Sequence, residues 1–421
     1  MVKSISFTLM AGVLFACANP AAHKDTGGIN LDASSSCPAG VAATLGDRTY
    51  LSSQVALLAL DGTVLSASFI SSASAQTDGL AFALSGDTAL PTTAPASGRV
   101  VVIDRYGTNV ITWVDPATAK VLGQLSVGTG FESNPQDYLE LDDTRALVSR
   151  WGVNDSPNQQ AFDAGSDLLV VDTRTPSIIA SIAIPPDAGL PPRPSSLTQV
   201  GNSVAVVLQR IAEDFATVGD AEIVRVDTNS LSITQTLRLS GVSNCGRLTV
   251  RPGAAGYAIA CTGPLDNYGG SADLSRSAVV LFGLDGDGNL VEQTRIVAQE
   301  ITGEALQAEV DFANHDLALV KTQTPQGGAT HNRLLAVDLA AHAVTPLAQA
   351  HPGSDGTGQG LTFGSVLCAP GCSPVCLLAD GDQGLLRRFD MSQQPAVELP
   401  AVNVTPSEGL MPRQLAHFEV R

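Results

Sequence analysis

Lysine is almost missing from this chain. Only Lys3, Lys24, Lys120 and Lys321 occur among 421 residues. Arginine does not make up the deficit: Lys and Arg total 23 against 41 Asp and Glu, a net charge of −18. With no basic patch, a nucleic-acid partner is not expected, nor is adsorption to an anionic membrane by charge. The acidity serves solubility. Aromatic residues are scarce as well, at 5% with two Trp. Catalytic and cofactor signatures are missing too. No G-x-S-x-G elbow, H-E-x-x-H helix or C-x-x-C-H haem attachment occurs. No catalytic residue, cofactor or metal is therefore expected. Nor does any stretch beyond the N-terminal region read as a long amphipathic helix.

What the chain does have is a phrase repeated seven times: an apolar run, an aspartate, a short polar turn and a second apolar run. The aspartates are Asp61, Asp115, Asp172, Asp227, Asp285, Asp338 and Asp390, spaced by 54, 57, 55, 58, 53 and 52 residues. A fixed period of this size marks a repeat architecture. The flanking runs are rich in Val, Ile and Leu and have strand length. The aspartate carboxylate suits the turn, because it accepts from backbone N–H groups just ahead of it. Each phrase therefore predicts a β-hairpin.

Between these hairpins lies a second pair of strands, as in residues 138–151, 196–210, 247–261 and 307–321. Four antiparallel strands per repeat make the blade of a β-propeller. Runs such as "RVVVID" and "DLLVVD" are apolar without alternation, as a strand covered on both faces requires. The expectation is an all-β fold of seven four-stranded antiparallel blades. Only Gly40–Ser52 precedes the first hairpin, while residues 411–421 form an orphan strand at the far end. That strand is expected to become the innermost strand of the first blade and close the ring. Two Trp are too few for a quinone-stacking ring repeated in every blade.

The run "VDPATAKVLGQLSVGTG…ESNPQDYLELDDTRALVSR" resembles the YVTN-type propeller repeat. The likeness is good over residues 99–240 and looser elsewhere. Val148-Ser149-Arg150 stands where the family has Val-Thr-Asn. The resemblance implies the fold and leaves function open, since the family is functionally mixed.

Residues 1–16 read as an export signal: Lys3, then an apolar stretch too short to span a membrane. Leu14-Phe15-Ala16-Cys17 resembles a lipoprotein signal box, which would lipidate Cys17. Ala16-Cys17-Ala18 equally fits an ordinary A-x-A cleavage site. Residues 17–36 read as a flexible tether, and 37–421 as the propeller. The expected setting is the cell envelope of a bacterium, with lipid anchoring to the outer membrane, or else a soluble periplasmic or secreted state.

Of seven Cys, removal of Cys17 leaves six, an even number in an exported chain. Cys245 and Cys261 lie symmetrically about the "RPGAAG" turn and should face each other across two strands. Cys368 and Cys376 do the same about "APGCSPV". Cys372 is left for Cys37. The C-x-x-x-C-x-x-x-C run is also a possible metal site, although structural zinc sites usually add a second close ligand pair.

Three further features could carry chemistry. Asp285-Gly-Asp287-Gly-Asn289 looks like the start of a calcium loop, but Asp285 is also the turn aspartate of its repeat. Arg105, Arg150 and Arg210 end equivalent strands in three successive repeats. Three guanidiniums converging near the axis could clamp a carboxylate or phosphate, or each could pair with a local Asp such as Asp155 or Asp214. The longest loops, 152–165, 211–220, 263–276 and 324–331, fall at equivalent places and would share one face. Of the scattered His, only His331 lies in such a loop, and His315 sits in a strand-pair turn.

Two functions compete. One is a monomeric, envelope-anchored binding or scaffold module for a protein or polysaccharide. The other is a lactonase-like propeller hydrolase or an anion-binding periplasmic protein. The aligned strand ends read Arg105, Arg150, Arg210, Thr262 and Thr322, with Lys321 beside the last. That is a poor cage for a catalytic cation, so binding is the favoured reading.

Overall fold

The computed structural model describes residues 37–47, 49–73, 80–253, 256–264, 273–323, 332–350, 363–381, 383–405 and 409–420. Cys17, the signal segment, the tether, His23, His331 and His351 lie outside them.

Seven four-stranded antiparallel sheets form the molecule. Their innermost strands are Met411–Phe418 in blade 1, Thr88–Ala89 in blade 2, Pro135–Glu140 in blade 3, Pro194–Val200 in blade 4, Cys245–Val250 in blade 5, Ala305–Phe312 in blade 6 and Phe363–Leu367 in blade 7. The first blade takes its inner strand from the far end of the chain. That strand runs antiparallel to Gly40–Gly46, from Gly40 opposite Phe418 to Gly46 opposite Met411. The expected closure is observed. A single helical turn, Ala298–Ile301, and a short 3-10 turn, Leu274–Arg276, complete the described secondary structure.

The turn aspartates do what their chemistry predicts. All seven accept from the amide two residues ahead, at 2.8–3.1 Å: Thr63, Ala117, Arg174, Asn229, Asp287, Ala340 and Ser392. Asp285 also binds the Asn289 amide. Its carboxylate thus serves the hairpin, like those of the other six blades.

Burial follows strand position. Val100–Asp104 and Ser203–Leu208, second strands of their blades, are buried at every residue. The outer strand Ile233–Leu239 alternates buried-side and exposed positions. The difference arises because inner blade strands touch neighbouring blades on both faces. Seven apolar clusters result, one in each gap between adjacent blades. At roughly 1.5–3 kcal/mol per fully buried Val, Leu or Phe side chain, these gaps dominate the stabilisation.

Around the axis the inner strands are laced together by polar contacts. Gln414 exchanges two hydrogen bonds with the Leu90 backbone, at 2.8 and 3.1 Å. Asp137, fully buried, accepts from the amides of Thr92 and Leu197 and so ties blade 3 to both neighbours. Thr198 donates to the Leu248 carbonyl, Thr249 to that of Val310, and the Cys368 amide to Asp311. Two inner-strand glycines permit close approaches between neighbouring blades. A Cβ on Gly246 would sit 1.6 Å from the Ala308 oxygen, and one on Gly364 2.1 Å from the Arg413 oxygen.

Three disulfides are present in the expected pairing. Cys245–Cys261 and Cys368–Cys376 cross adjacent strands, and Cys37–Cys372 joins residues 335 apart, fastening the start of the first blade to the seventh. They point to folding in an oxidising, exported setting. Non-reducing peptide mapping of exported protein should recover these three linked pairs, and recovery of six free thiols would contradict the assignment. Loss of either hairpin bridge should cost less than the roughly 2–5 kcal/mol seen in small secreted domains, because the closed loops are short and the core is large. Among the described residues no helix is long and apolar enough to cross a membrane.

Candidate functional site

A cavity of about 420 Å³ opens on the axis, within the usual range for small-ligand sites. Every blade contributes to its wall through the inner strand: Gln414, Thr88, Gln136, Ser196, Arg247, Glu309 and Ser365 in ring order. Tyr50, Arg105 and Gly381 reach it from loops joining second to third strands. The long loops 152–165 and 211–220 join equivalent strands, so the cavity mouth lies on the loop-rich face. Residues 265–272 and 324–331 of the other two long loops lie outside the described residues.

The wall is cationic in a strongly acidic chain. Arg105, Arg247, Lys321 and Arg413 line it, and Glu309 is the one carboxylate among the described lining residues. Lys321 Nζ lies 2.5 Å from Glu309 Oε2 and also donates to the Gly364 carbonyl. Arg247 reaches both Glu309, at 3.3 Å, and Asp311, at 3.2 Å. Burial opposes ionisation of Glu309, but Lys321 and Arg247 together hold its carboxyl below the usual range. Burial pushes Asp311 up to about 6, against the pull of Arg247.

Arg413 differs from the others. No carboxylate pairs with it among the described residues. Its guanidinium stacks 3.8 Å above the Tyr50 ring, donates to the Asp47 carbonyl, and keeps a buried Nε without a partner. Arg105 is bound on one side to Asp87 and touches Gln136 at 3.5 Å, and its Nε is likewise unpartnered.

The three arginines read from the sequence separate here. Arg105 lines the cavity. Arg150 and Arg210 do not reach it. Arg150 is fully buried within blade 3 and binds both oxygens of Asp167, the carbonyls of Val127 and Phe162, and the Thr129 hydroxyl. Arg210 binds Glu222 at 2.5 Å and the Pro185 carbonyl. Neither partner is Asp155 or Asp214. Asp214 instead caps its own turn at Ala216 and Thr217. Arg247, Glu309 and Arg413 were not singled out from the sequence. Their signal is there: each is a charge near the middle of an innermost strand.

His417, on the inner strand of blade 1, has a buried Nε2 with no partner. Burial, with the nearby Arg247 charge, lowers its pKa to about 4. The unfolded chain, with an ordinary value near 6.5, therefore binds a proton that the folded chain refuses between about pH 4 and 6.5. This contribution is lost as pH falls through that window. Relative to His417→Asn, which does not titrate, wild type should lose roughly 3 kcal/mol between pH 6.5 and 4. Urea melts of both proteins across that range test this, and a constant difference would refute it.

No family model and no curated protein matches the chain. Solved structures do. A protein from Lactobacillus plantarum is 11% identical over 90% of this chain and 98% of its own, with a TM-score of 0.55. A hypothetical selenium-binding protein from Sulfolobus tokodaii is 11% identical over 92% of each chain, TM-score 0.53. A putative 6-phosphogluconolactonase from Bacteroides uniformis is 11% identical over 89% and 98%, TM-score 0.52. At such identities the likeness is one of fold. The chain is a seven-bladed β-propeller.

Proposed function

We propose that this propeller is an exported binding module whose axial cavity takes an anionic group of its ligand. The observation that carries the reading is Arg413: a cation on the cavity wall with no carboxylate partner among the described residues, pre-oriented by stacking on Tyr50. A planar guanidinium held this way offers two-pronged hydrogen bonding to a carboxylate or phosphate. Arg105 stands on the same wall with part of its fork unused. Lys321 and Arg247 are already matched by Glu309 and contribute positive field rather than free donors.

The hydrolase alternative has less support. The lining carboxylate, Glu309, is bound by two cations and is poorly placed to act as a free base. The resemblance of residues 99–240 to YVTN-type repeats and the Leu14–Cys17 box fit a lipid-anchored envelope protein, and that anchoring is part of the proposal. Titration calorimetry with citrate and inorganic phosphate tests the anion site. Arg413→Ala should weaken binding roughly 10–100-fold, the equivalent of one charge-assisted hydrogen-bonded contact. Arg413→Lys should recover only part of it, since the fork is lost. Unchanged binding in Arg413→Ala would refute the reading.

A further inference from the structure

Blades 1 to 4 share a feature that begins at the cavity wall and extends beyond it. In each, the loop between second and third strands carries an aromatic residue: Tyr50, Tyr106, Trp151 and Phe215. These loops belong to the face on which the cavity opens. Three of the four rings are open to solvent, with Tyr106 exposed at 65%, Phe215 at 52% and Tyr50 at 49%. In a chain with 5% aromatics, exposure of three on one face is a concentration, not a scatter. Trp151 and Phe215 are stacked, with centroids 5.7 Å apart and planes 19° apart, and Arg193 covers Trp151 at 3.9 Å. Arg413 supports Tyr50 in the same manner. Tyr50 and Trp151 are thus each held by a cation, and Phe215 by its stacking on Trp151, while Tyr106 stands open.

We propose that the ligand is an acidic polysaccharide, a chain of uronate-type sugars laid across this aromatic arc with a carboxylate lowered onto Arg413. The inference rests on the anion-site reading and names its ligand class. Three properties of the face select a sugar. The axial C–H face of a pyranose packs on the negative face of an aromatic ring, and exposed Tyr rings offer that surface with a polar edge for the hydroxyls. The cavity wall beside the cations is hydroxyl- and amide-rich, with Thr88, Thr92, Gln136, Ser195, Ser196 and Gln414. Such a wall, with Phe363 and Met411 between its polar groups, can bond ligand hydroxyls while packing on the C–H surface of a sugar ring. Four cations gather on the cavity wall of a strongly acidic chain, so a carboxylate is read at a fixed place rather than by a general attraction for polyanions.

The test uses the full chain and three oligomers by calorimetry: oligo-mannuronate hexamers, neutral gluco-oligosaccharide of equal length, and hexa-glutamate. Oligo-mannuronate should bind best. Tyr106→Ala should weaken it roughly 3–10-fold, the worth of one ring contact, without changing citrate binding. Arg413→Ala should remove most of the preference for oligo-mannuronate over the neutral sugar. If hexa-glutamate binds as well as oligo-mannuronate and Tyr106→Ala leaves both unchanged, the saccharide inference is overturned while the anion site stands. If the neutral sugar binds as tightly and Arg413→Ala has no effect, the anion site itself falls. Tyr106 is exposed and makes no described hydrogen bond, so its variant should keep the wild-type melting temperature and fold.

Discussion

A chain ending at Leu410 is expected to lose the folded monomer. It lacks the inner strand of blade 1, whose pairing with Gly40–Gly46 spans the whole strand. Leu415, Ala416 and Phe418, all buried, leave the two clusters on either side of that blade. At roughly 1.5–3 kcal/mol for each large side chain, plus the backbone pairing, the loss approaches the whole margin of about 5–15 kcal/mol of a typical domain. One strand edge also becomes exposed, Gly40–Gly46 in the plane of its sheet, and the flank of blade 7 facing the gap loses its cover. Unpaired edges promote association. Size-exclusion chromatography should show aggregate in place of monomer, with no cooperative melt. A soluble monomer melting within a few degrees of wild type would show that the ring holds without its closing strand.

Arg150→Ala is expected to be the most damaging single substitution among the arginines. Its side chain is fully buried, and its donors satisfy Asp167, two carbonyls and a hydroxyl. Removing it strands the Asp167 charge in a site 2% exposed. Breaking a buried pair from one side costs about 3–5 kcal/mol, far more than the roughly 0–1 kcal/mol of a surface pair such as Arg145 with Asp142. Arg150→Lys keeps the charge but cannot serve this many acceptors. Removing both charges in Arg150→Met with Asp167→Leu should restore much of the loss, because the stranded carboxylate is gone. Denaturant melts of the three variants measure this. Equal stability of wild type and Arg150→Ala would mean that the pair contributes nothing. Oligosaccharide and citrate affinity of the folded fraction should be unchanged, since Arg150 does not line the cavity.

The fold was legible because its determinants are local. A turn aspartate binds its own backbone two residues on, so Asp61 and Asp390 announce their hairpins without reference to anything distant. The cysteine pairs Cys245–Cys261 and Cys368–Cys376 are legible for the same reason: symmetry about a turn is a statement about adjacent strands. The site was legible only in part. Arg105 and Lys321 were noticed at strand ends. Arg150 and Arg210 looked equivalent to Arg105 by position along the strand, yet Asp167 and Glu222 lie within reach of the first two, while Arg105 shares Asp87 with open space. Whether a guanidinium turns inward or is bound by its own blade depends on which carboxylate the next strand presents, and spacing does not carry that. Arg247, Glu309 and Arg413 lie on strands that the sequence marks as strands without saying which side chains face the axis. Their common direction follows from the ring, which brings together residues from the fifth, sixth and first blades.

The borrowed strand of blade 1 also sets an order of events. Six blades hold their four strands in continuous sequence, so each can form as soon as its own segment is available. The first cannot. From the appearance of Ser71 until Met411–Phe418 arrives, about 340 residues later in the chain, it has three strands and an open inner edge. The cavity has no complete wall during that interval, because Arg413, its partner surface Tyr50 and the seam to blade 7 come together only at the last step. The proposed anion site is therefore completed only by the final segment of the propeller, and until then the aromatic rings of blades 2 to 4 stand without Arg413.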